Sequence, residues 1–321
     1  MQIFKYIIKR ILQAIPILIL VSIISFFLIR LSPVDPLGEL KLNPAISKKT
    51  IEYETKRLGL DKPIIIQYGY WAKSFLSGDL GTTTSGENVY QKLKERTLNT
   101  LLLSILTIFF TWAIGIPLGI LSALKYKKAT DKGILFFATI GMAIPSFFLG
   151  ILCLIFAQKT GLFPIGNLTS SNFQSLTFFG KFLDMAHHLI LPVFVLTVIS
   201  TGSLIRQMRA NLLDVLNSDY IKFARAKGLD ENKVIIKHAL RNAINPLITL
   251  LGFEFAGLLS GAALTEYIFQ YPGLGRLVLE AVMKSDINLV MASLMIGSFM
   301  LILGNLISDI LLKITDPRTG G

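Results

Sequence analysis

Few residues of this chain have types and spacing suited to chemistry. Two carboxylates, Glu254 and Asp309, lie within or near the end of long apolar runs, and two histidines, His187 and His188, stand side by side. A relay for protons or sodium ions needs several ionisable groups near the middle of a bilayer. An adjacent histidine pair binds a metal only with further ligands. We therefore predict that His187 and His188 anchor a helix at a membrane surface, and we expect no metal site.

Glu254 leaves two interpretations open. An ionisable residue in an apolar helix generally faces the protein interior, where a neighbouring helix or chain satisfies it. Alternatively, Glu254 lines a polar pathway and contacts a cationic part of a substrate. Asp309 is predicted to lie beside Lys313 at the membrane surface.

The motifs of the common hydrolytic enzymes are missing. The sequence contains no G-x-x-x-x-G-K-[ST] phosphate loop, no H-E-x-x-H and no G-x-S-x-G. A phosphate loop is the usual means of binding a nucleotide for hydrolysis, and the other two motifs mark zinc and serine hydrolases. We therefore predict no catalytic residues and no cofactor in this chain.

Composition decides the class of protein. The chain is 52% hydrophobic and only 16% charged, whereas a soluble domain is about 25% charged. This indicates an all-α integral membrane protein. The net charge of +12 does not indicate nucleic acid, because about half of the basic residues lie beside apolar runs, as the positive-inside rule requires. The single cysteine, Cys153, lies in an apolar run and supports no redox role.

Six apolar runs are long enough, or nearly so, to cross a bilayer. Lys and Arg concentrate in the short loops that this arrangement places inside the cell, so both termini are predicted to be cytoplasmic. Residues 2–10 are predicted to form a short amphipathic lead-in, and Pro145 interrupts the third run. The six predicted spans are residues 11–29, 98–124, 134–157, 189–204, 246–264 and 289–312.

The remaining segments define the predicted domains. Residues 1–30 hold the lead-in and first span, and residues 31–97 form a small external domain packed on the membrane domain. In it, Ser47 caps a helix that ends at Gly59, and Pro63 opens another that ends near Gly78. Residues 98–312 form a five-helix core with an external re-entrant or interfacial segment, residues 266–287. Residues 313–321 form a cytoplasmic tail.

The polar residues 217–245 lie between the fourth and fifth spans and read as helix, break, helix. Ser218 or Asp219 can cap the first helix, Gly228 ends it in the left-handed conformation, and Asp230 caps the second. Pro246 then starts the next apolar run. The segment is either an ordinary basic loop or an element that another protein grips. The capped helices favour the second interpretation. The apolar positions of the two helices are Ile221, Phe223, Ala224, Ala226, Val234, Ile235, Ala239 and Leu240.

The segment from Tyr220 to Pro246 resembles the cytoplasmic coupling motif, the EAA loop, of binding-protein-dependent ABC importer permeases. ARAKGL at 224–229 followed by HALRN at 238–242 is similar to the dipeptide/oligopeptide/nickel branch. LGLDKPIIIQYGYW, SGDLGTT, HLILP and EYIFQYPGLGRL are similar to its first permease subunit, so the resemblance covers nearly the whole chain. Two departures, Lys222 at the position of the motif's glutamate and Arg241 after Leu240, are usual in the peptide branch.

The resemblance implies one half of a channel in a bacterial or archaeal inner membrane. Its implied partners are a second homologous permease, two ATPase subunits that bind ATP and magnesium, an external solute-binding protein and the lipid bilayer. The implied ATPase-coupling residues are Ala224, Arg225, Ala226, Lys227, Gly228, Leu229 and Asp230. The implied external gate or binding-protein contact comprises Phe269, Tyr271, Pro272, Gly273, Leu274 and Gly275.

The predicted function is import of di- or oligopeptides, with nickel or a metal chelate as the alternative cargo. A more distant alternative is a secondary transporter driven by an ion gradient, for which Pro145 and Glu254 offer slight support. A membrane hydrolase is a further alternative, but the sequence shows no nucleophile with a matching base.

Overall fold

The computed structural model describes residues 2–31, 35, 37–42, 44–284 and 286–315. Part of the predicted tail, residues 316–321, lies outside them. The described residues are helical apart from turns and one isolated β-bridge, so the all-α prediction is confirmed. The helices are α1 Gln2–Leu31, α2 Gly38–Leu42, α3 Lys48–Leu58, α4 Ile64–Leu76, α5 Val89–Leu124, α6 Ala129–Ala143, α7 Ser146–Thr160, α8 Phe178–Leu216, α9 Asp219–Ala226, α10 Glu231–Lys233, α11 Arg241–Ile268, α12 Leu274–Met283 and α13 Ile287–Thr315, with a π-helix at Val234–Leu240.

Within the described residues, four helices are long and apolar enough to cross a membrane, namely α1, α5, α8 and α13, and the bent pair α6–α7 makes up to five. All four helices are longer than the predicted spans. α5 begins at Val89 rather than at residue 98, and α8 runs for 39 residues. Residues 2–10, predicted as a short amphipathic lead-in, form the first turns of α1 and continue directly into its apolar part.

The third predicted span is broken rather than merely interrupted. α6 and α7 meet at 94°. Ile144 has an extended backbone, with φ −82° and ψ 122°, and Pro145 precedes α7. The proline ring disfavours a helical conformation in the residue before it and removes a backbone donor, so the helix stops and restarts in a new direction.

The chain divides into two compact units. The first contains residues 1–101, 259–263 and 272–303. Its aromatic cluster joins Phe26 of α1, Trp71 of α4 and Met291 of α13. The two predicted caps of α3 are confirmed, since Ser47 accepts a hydrogen bond from the Thr50 amide and Gly59 ends the helix at φ 57°.

A buried polar network also holds the first unit together. Arg57 donates to Glu54 Oε2 at 2.8 Å and to Asn288 Oδ1 at 2.5 Å. Asn288 donates back to Glu54 Oε2 at 3.1 Å, and the Thr82 amide and hydroxyl both donate to Glu54 Oε1 at 3.0 Å. Because buried charges need partners, this set fixes α3 to the start of α13.

The second unit contains residues 102–258, 264–271 and 304–321. Its core is built on α8, where Leu204, Met208 and Leu212 are buried. The small residues of α5 at Gly115 and Gly119 allow close packing, because an added Cβ would lie 2.9 Å from Leu204 and 2.7 Å from Met208. This core supports the polar segment that follows α8.

Candidate coupling segment and external turn

The coupling segment is residues 217–245, which follow α8 without a long linker. It contains α9, a turn at Gly228, α10 and the π-helix, and its last residues already belong to α11. Pro246, predicted to start the next apolar run, lies inside α11 and not at its beginning. The helical path is therefore continuous from Glu231 to Ile268, and the second coupling helix and the fifth predicted span form one element.

The turn at Gly228 is built as the sequence predicts. Gly228 has φ +76°, in the left-handed region that glycine enters without a steric cost. Asp230 caps α10, because its Oδ2 accepts hydrogen bonds from the amides of Asn232 at 3.0 Å and Lys233 at 3.3 Å. Ser218 occupies the cap position of α9, but its hydroxyl donates to the Val215 carbonyl instead.

An ion pair bridges the turn. Arg225 Nη2 donates to Glu231 Oε1 at 2.7 Å, and its Nε donates to Oε2 at 3.1 Å. This two-point contact raises the pKa of Arg225 and lowers that of Glu231. Because a bidentate guanidinium–carboxylate pair is planar and directional, it fixes how α9 and α10 meet.

One face of the coupling segment packs against the chain's own core. Ile221, Val234 and Ala239 are fully buried in the cluster that includes Met208 and Leu212 of α8. A hydrogen bond from Asn242 Nδ2 to the Tyr220 hydroxyl, 2.8 Å long, closes the base of the segment. The segment is thus a rigid projection rather than a loose loop.

The coupling segment also carries large apolar side chains in exposed positions. Phe223 is 61% exposed, Leu229 39% and Ile236 66%. The ammonium of Lys227 lies 4.7 Å from the centre of the Phe223 ring. Of the four apolar positions predicted for the first helix, Ile221 and Ala224 are buried, and Phe223 and Ala226 are exposed. We call Phe223, Leu229 and Ile236 the apolar face.

The seven residues predicted for ATPase coupling do not share one environment. Ala224 is buried on the inner face, where its small side chain lets α9 approach the core. The other six are exposed around the turn, namely Arg225, Ala226, Lys227, Gly228, Leu229 and Asp230. Phe223 and Ile236 were not among these seven residues, and helical periodicity alone does not separate a buried apolar residue from an exposed one.

The segment predicted as an external gate is mostly buried. In the second unit, Phe269 is 1% exposed and Tyr271 0%. The Tyr271 amide donates to the Glu266 carbonyl at 2.8 Å, and the Asn167 amide donates to the Phe269 carbonyl at 2.9 Å. Burial and the nearby Glu266 carboxylate raise the pKa of the Tyr271 hydroxyl, so it stays neutral.

In the first unit, the rest of this segment is fixed to α5. The Leu274 amide donates to Thr100 Oγ1 at 2.7 Å, and Asn99 Nδ2 donates to the Pro272 carbonyl at 2.8 Å. Gly275 is required by space, because an added Cβ would lie 2.7 Å from Ala263 Cα. Pro272 is half-buried, and Gly273, Leu274 and Gly275 are buried.

Glu254 has a partner that sequence reasoning did not identify. Trp112 Nε1, on α5, donates to Glu254 Oε2 at 2.7 Å. An indole is a neutral donor, so it holds the carboxyl group in place without neutralising a charge. The contact joins residues 142 positions apart, and no local sequence pattern predicts it.

The histidine pair makes contacts with backbone carbonyls. His187 Nε2 lies 2.9 Å from the Leu162 carbonyl oxygen, and His188 Nδ1 lies 2.8 Å from that of Asp184. Across the described residues, no three His, Cys, Asp or Glu side chains group as a metal site would require. The His187 contact joins α8 to the segment that follows α7, whereas the His188 contact lies within α8.

Comparison with known proteins identifies the class. Residues 115–321 match the family described as binding-protein-dependent transport system inner membrane component, and residues 3–87 match the N-terminal region of such membrane components. The chain belongs to this family and is a multi-pass protein of the inner membrane.

Two curated relatives match almost end to end. The oligopeptide transport system permease protein AppB of Bacillus subtilis (strain 168) is 41% identical over 316 residues, covering 98% of both chains. The dipeptide transport system permease protein DppB of Escherichia coli (strain K12) is 34% identical over 332 residues, again covering 98% of both. The solved inward-facing MetNI methionine ABC transporter shares the fold, with a TM-score of 0.55 and 17% identity over 71% of this chain and 97% of that one.

Proposed function

We propose that this chain is the membrane-spanning permease subunit of an ATP-driven importer for di- or oligopeptides. Its membership of the binding-protein-dependent family supports an external solute-binding protein as the source of cargo. The relatives named for oligopeptides and dipeptides favour peptides over nickel or a metal chelate. The chain itself takes no catalytic part, and ATP and magnesium bind to separate ATPase subunits.

The proposed topology has six spans and two cytoplasmic termini. The broken pair α6–α7 supplies the third span and α11 the fifth. With 28 residues, α11 is about 42 Å long, which exceeds the roughly 30 Å hydrocarbon core of a bilayer. The coupling segment then lies in the cytoplasm, and the turn at residues 269–273 lies outside.

The observation that carries the proposal is the apolar face of the coupling segment, exposed on a rigidly held projection. We assign it to an ATPase subunit, because aromatic and aliphatic anchors in a pocket supply most of the binding energy of a protein interface. The continuous helix from Glu231 to Ile268 passes a displacement of the segment into the membrane as rigid-body motion. A second homologous permease completes the channel, and two ATPases drive the pair.

Within the channel, we assign Glu254 to the substrate pathway. Among the described residues Trp112 binds Oε2, and the second oxygen, Oε1, can accept from a peptide's ammonium group. The segment with Phe269, Tyr271 and Pro272–Gly275 is assigned to the external gate. Its burial supports a closed gate whose opening requires a concerted change, since packed elements switch between discrete arrangements.

Replacing Phe223 with serine tests the assignment of the apolar face. We expect the tagged variant to retain much less ATPase subunit on purification, because an interface anchor costs about 2 kcal/mol or more when removed. The matched control is Phe178→Ser. Phe178 is the first residue of α8, lies outside the coupling segment and is 93% exposed. Equal ATPase recovery from Phe223→Ser, Phe178→Ser and the parent chain would remove the apolar face from the interface.

A further inference from the structure

The short helix α4 has an unusual composition for a segment predicted to lie outside the membrane. Its 13 residues, IIIQYGYWAKSFL, include one charged residue, Lys73, and four aromatic ones. Tyrosine and tryptophan concentrate at membrane–water interfaces. A helix that is apolar nearly all round belongs in a protein core or in contact with lipid.

The contacts of the inner face of α4 show which part of α1 it lies beside. The Tyr68 hydroxyl lies 2.8 Å from the Ser22 hydroxyl of α1, and the ring centres of Tyr68 and Phe26 are 5.5 Å apart. Ser22 precedes Ile29, the last apolar residue before Arg30, by seven positions, which is about 10 Å along a helix. α4 is therefore level with the apolar part of α1.

The described residues leave much of the outer face of α4 uncovered. Ile65 is 73% exposed, Ile66 47%, Tyr70 44% and Leu76 85%. Gly69 lies among them, and an added Cβ there would meet no atom within 4 Å. Isolated exposed apolar residues are common in proteins, but a contiguous apolar face marks a contact surface.

The neighbouring helix α3 provides a contrast. It packs on α4 through Gly59, where an added Cβ would lie 2.8 Å from the Tyr70 ring, but its outer face is charged. Lys49, Glu52 and Lys56 are all exposed. Two adjacent helices of one small domain thus present opposite surfaces, one suited to water and one to hydrocarbon.

We propose that α4 lies in the lipid at the headgroup–acyl boundary, beside the C-terminal half of α1, with Ile65, Ile66, Gly69, Tyr70 and Leu76 contacting lipid. Amphipathic interfacial helices sit about 5–10 Å into this boundary, the depth that the Ser22 contact gives. Lys73 reaches the headgroups with its terminal ammonium while its methylene stem stays in the apolar layer. The segment after the first span is therefore partly embedded, and only its α3 side faces water.

Spin labels on the complete transporter in lipid nanodiscs test this placement. The chain's one cysteine is Cys153, so Cys153→Ala gives a background for single labels at Gly69→Cys and Ile65→Cys, with Glu52→Cys as control. We expect the labels at 69 and 65 to collide with oxygen and not with a water-soluble nickel complex, at a depth of about 5–10 Å. The label at 52 should show the reverse.

Two results would overturn the proposal. Free access of the nickel complex to positions 69 and 65 would place the face in water. Shielding of both positions from oxygen and nickel alike would assign the face to a protein partner. Ile65→Cys replaces an exposed side chain, so a folding defect confined to the glycine variant would not prevent the test.

Discussion

Replacing Gly228 with valine is expected to uncouple ATP hydrolysis from transport. The glycine has φ +76°, and an added Cβ would meet nothing within 4 Å. The penalty therefore comes from the backbone alone and not from a clash. A left-handed L-residue costs about 1–2 kcal/mol, and a β-branched residue is the least tolerant. Such a penalty reduces the population of the native turn by about 5- to 30-fold.

The energy available to resist this change is small. The Arg225–Glu231 pair spans the turn, but its side chains are 39% and 54% exposed, and exposed pairs contribute about 0.2–1 kcal/mol. The buried anchors Ile221 and Val234 lie outside the turn, so the fold should survive. The expected loss is thus in the placement of the apolar face and not in assembly of the membrane core.

The assay is the ratio of peptide taken up to ATP hydrolysed by the reconstituted transporter. We expect Gly228→Val to lower this ratio, and Gly228→Asn to retain most of it, because asparagine enters the left-handed region more readily than other residues. An unchanged ratio in an assembled valine variant would refute the reasoning. An asparagine variant as impaired as the valine variant would show that side-chain bulk matters rather than the backbone conformation.

Two further predictions concern the domain after α1. Replacing Arg57 with methionine leaves Glu54 buried without its charge partner, so the free energy of unfolding should fall by about 3–5 kcal/mol. The control is Lys56→Met, because Lys56 is exposed on the same helix, and this substitution should change the free energy of unfolding little. Equal effects of the two substitutions would contradict the buried network. The hydrogen bond to Asp79 raises the pKa of Tyr53 to about 12 from 10.0, so this contact stabilises the fold fully below pH 10 and is lost as pH rises through 12. Ultraviolet difference titration against Tyr53→Phe should show that midpoint, and ionisation near the ordinary tyrosine value would contradict it.

The parts of the structure that the sequence predicts well depend on local signals. The Ser47 and Gly59 caps of α3 and the Asp230 cap at the coupling turn follow from residue types at fixed offsets. Length and apolarity likewise identify the long apolar helices α1, α5, α8 and α13. Predicting these features requires no knowledge of contacts between residues far apart in the sequence.

The parts that it misses depend on distant contacts or absent partners. The Trp112–Glu254 hydrogen bond and the Arg57–Asn288 contact join residues far apart in the chain. Pro145 predicts an interruption, but a proline alone does not specify the size of the bend, which is 94°. Phe223 has the periodicity of a core residue and is exposed, because helical spacing alone does not say which apolar positions the chain buries.

The most direct test of the central claim is peptide uptake into proteoliposomes that contain this chain with its second permease and ATPases. The external binding protein and a labelled peptide are supplied outside, and ion gradients are collapsed with ionophores. The proposed function predicts uptake that requires ATP at the ATPase side and continues without any ion gradient. Uptake that stops with the ionophores and persists without ATP would contradict it and identify an ion-coupled carrier instead.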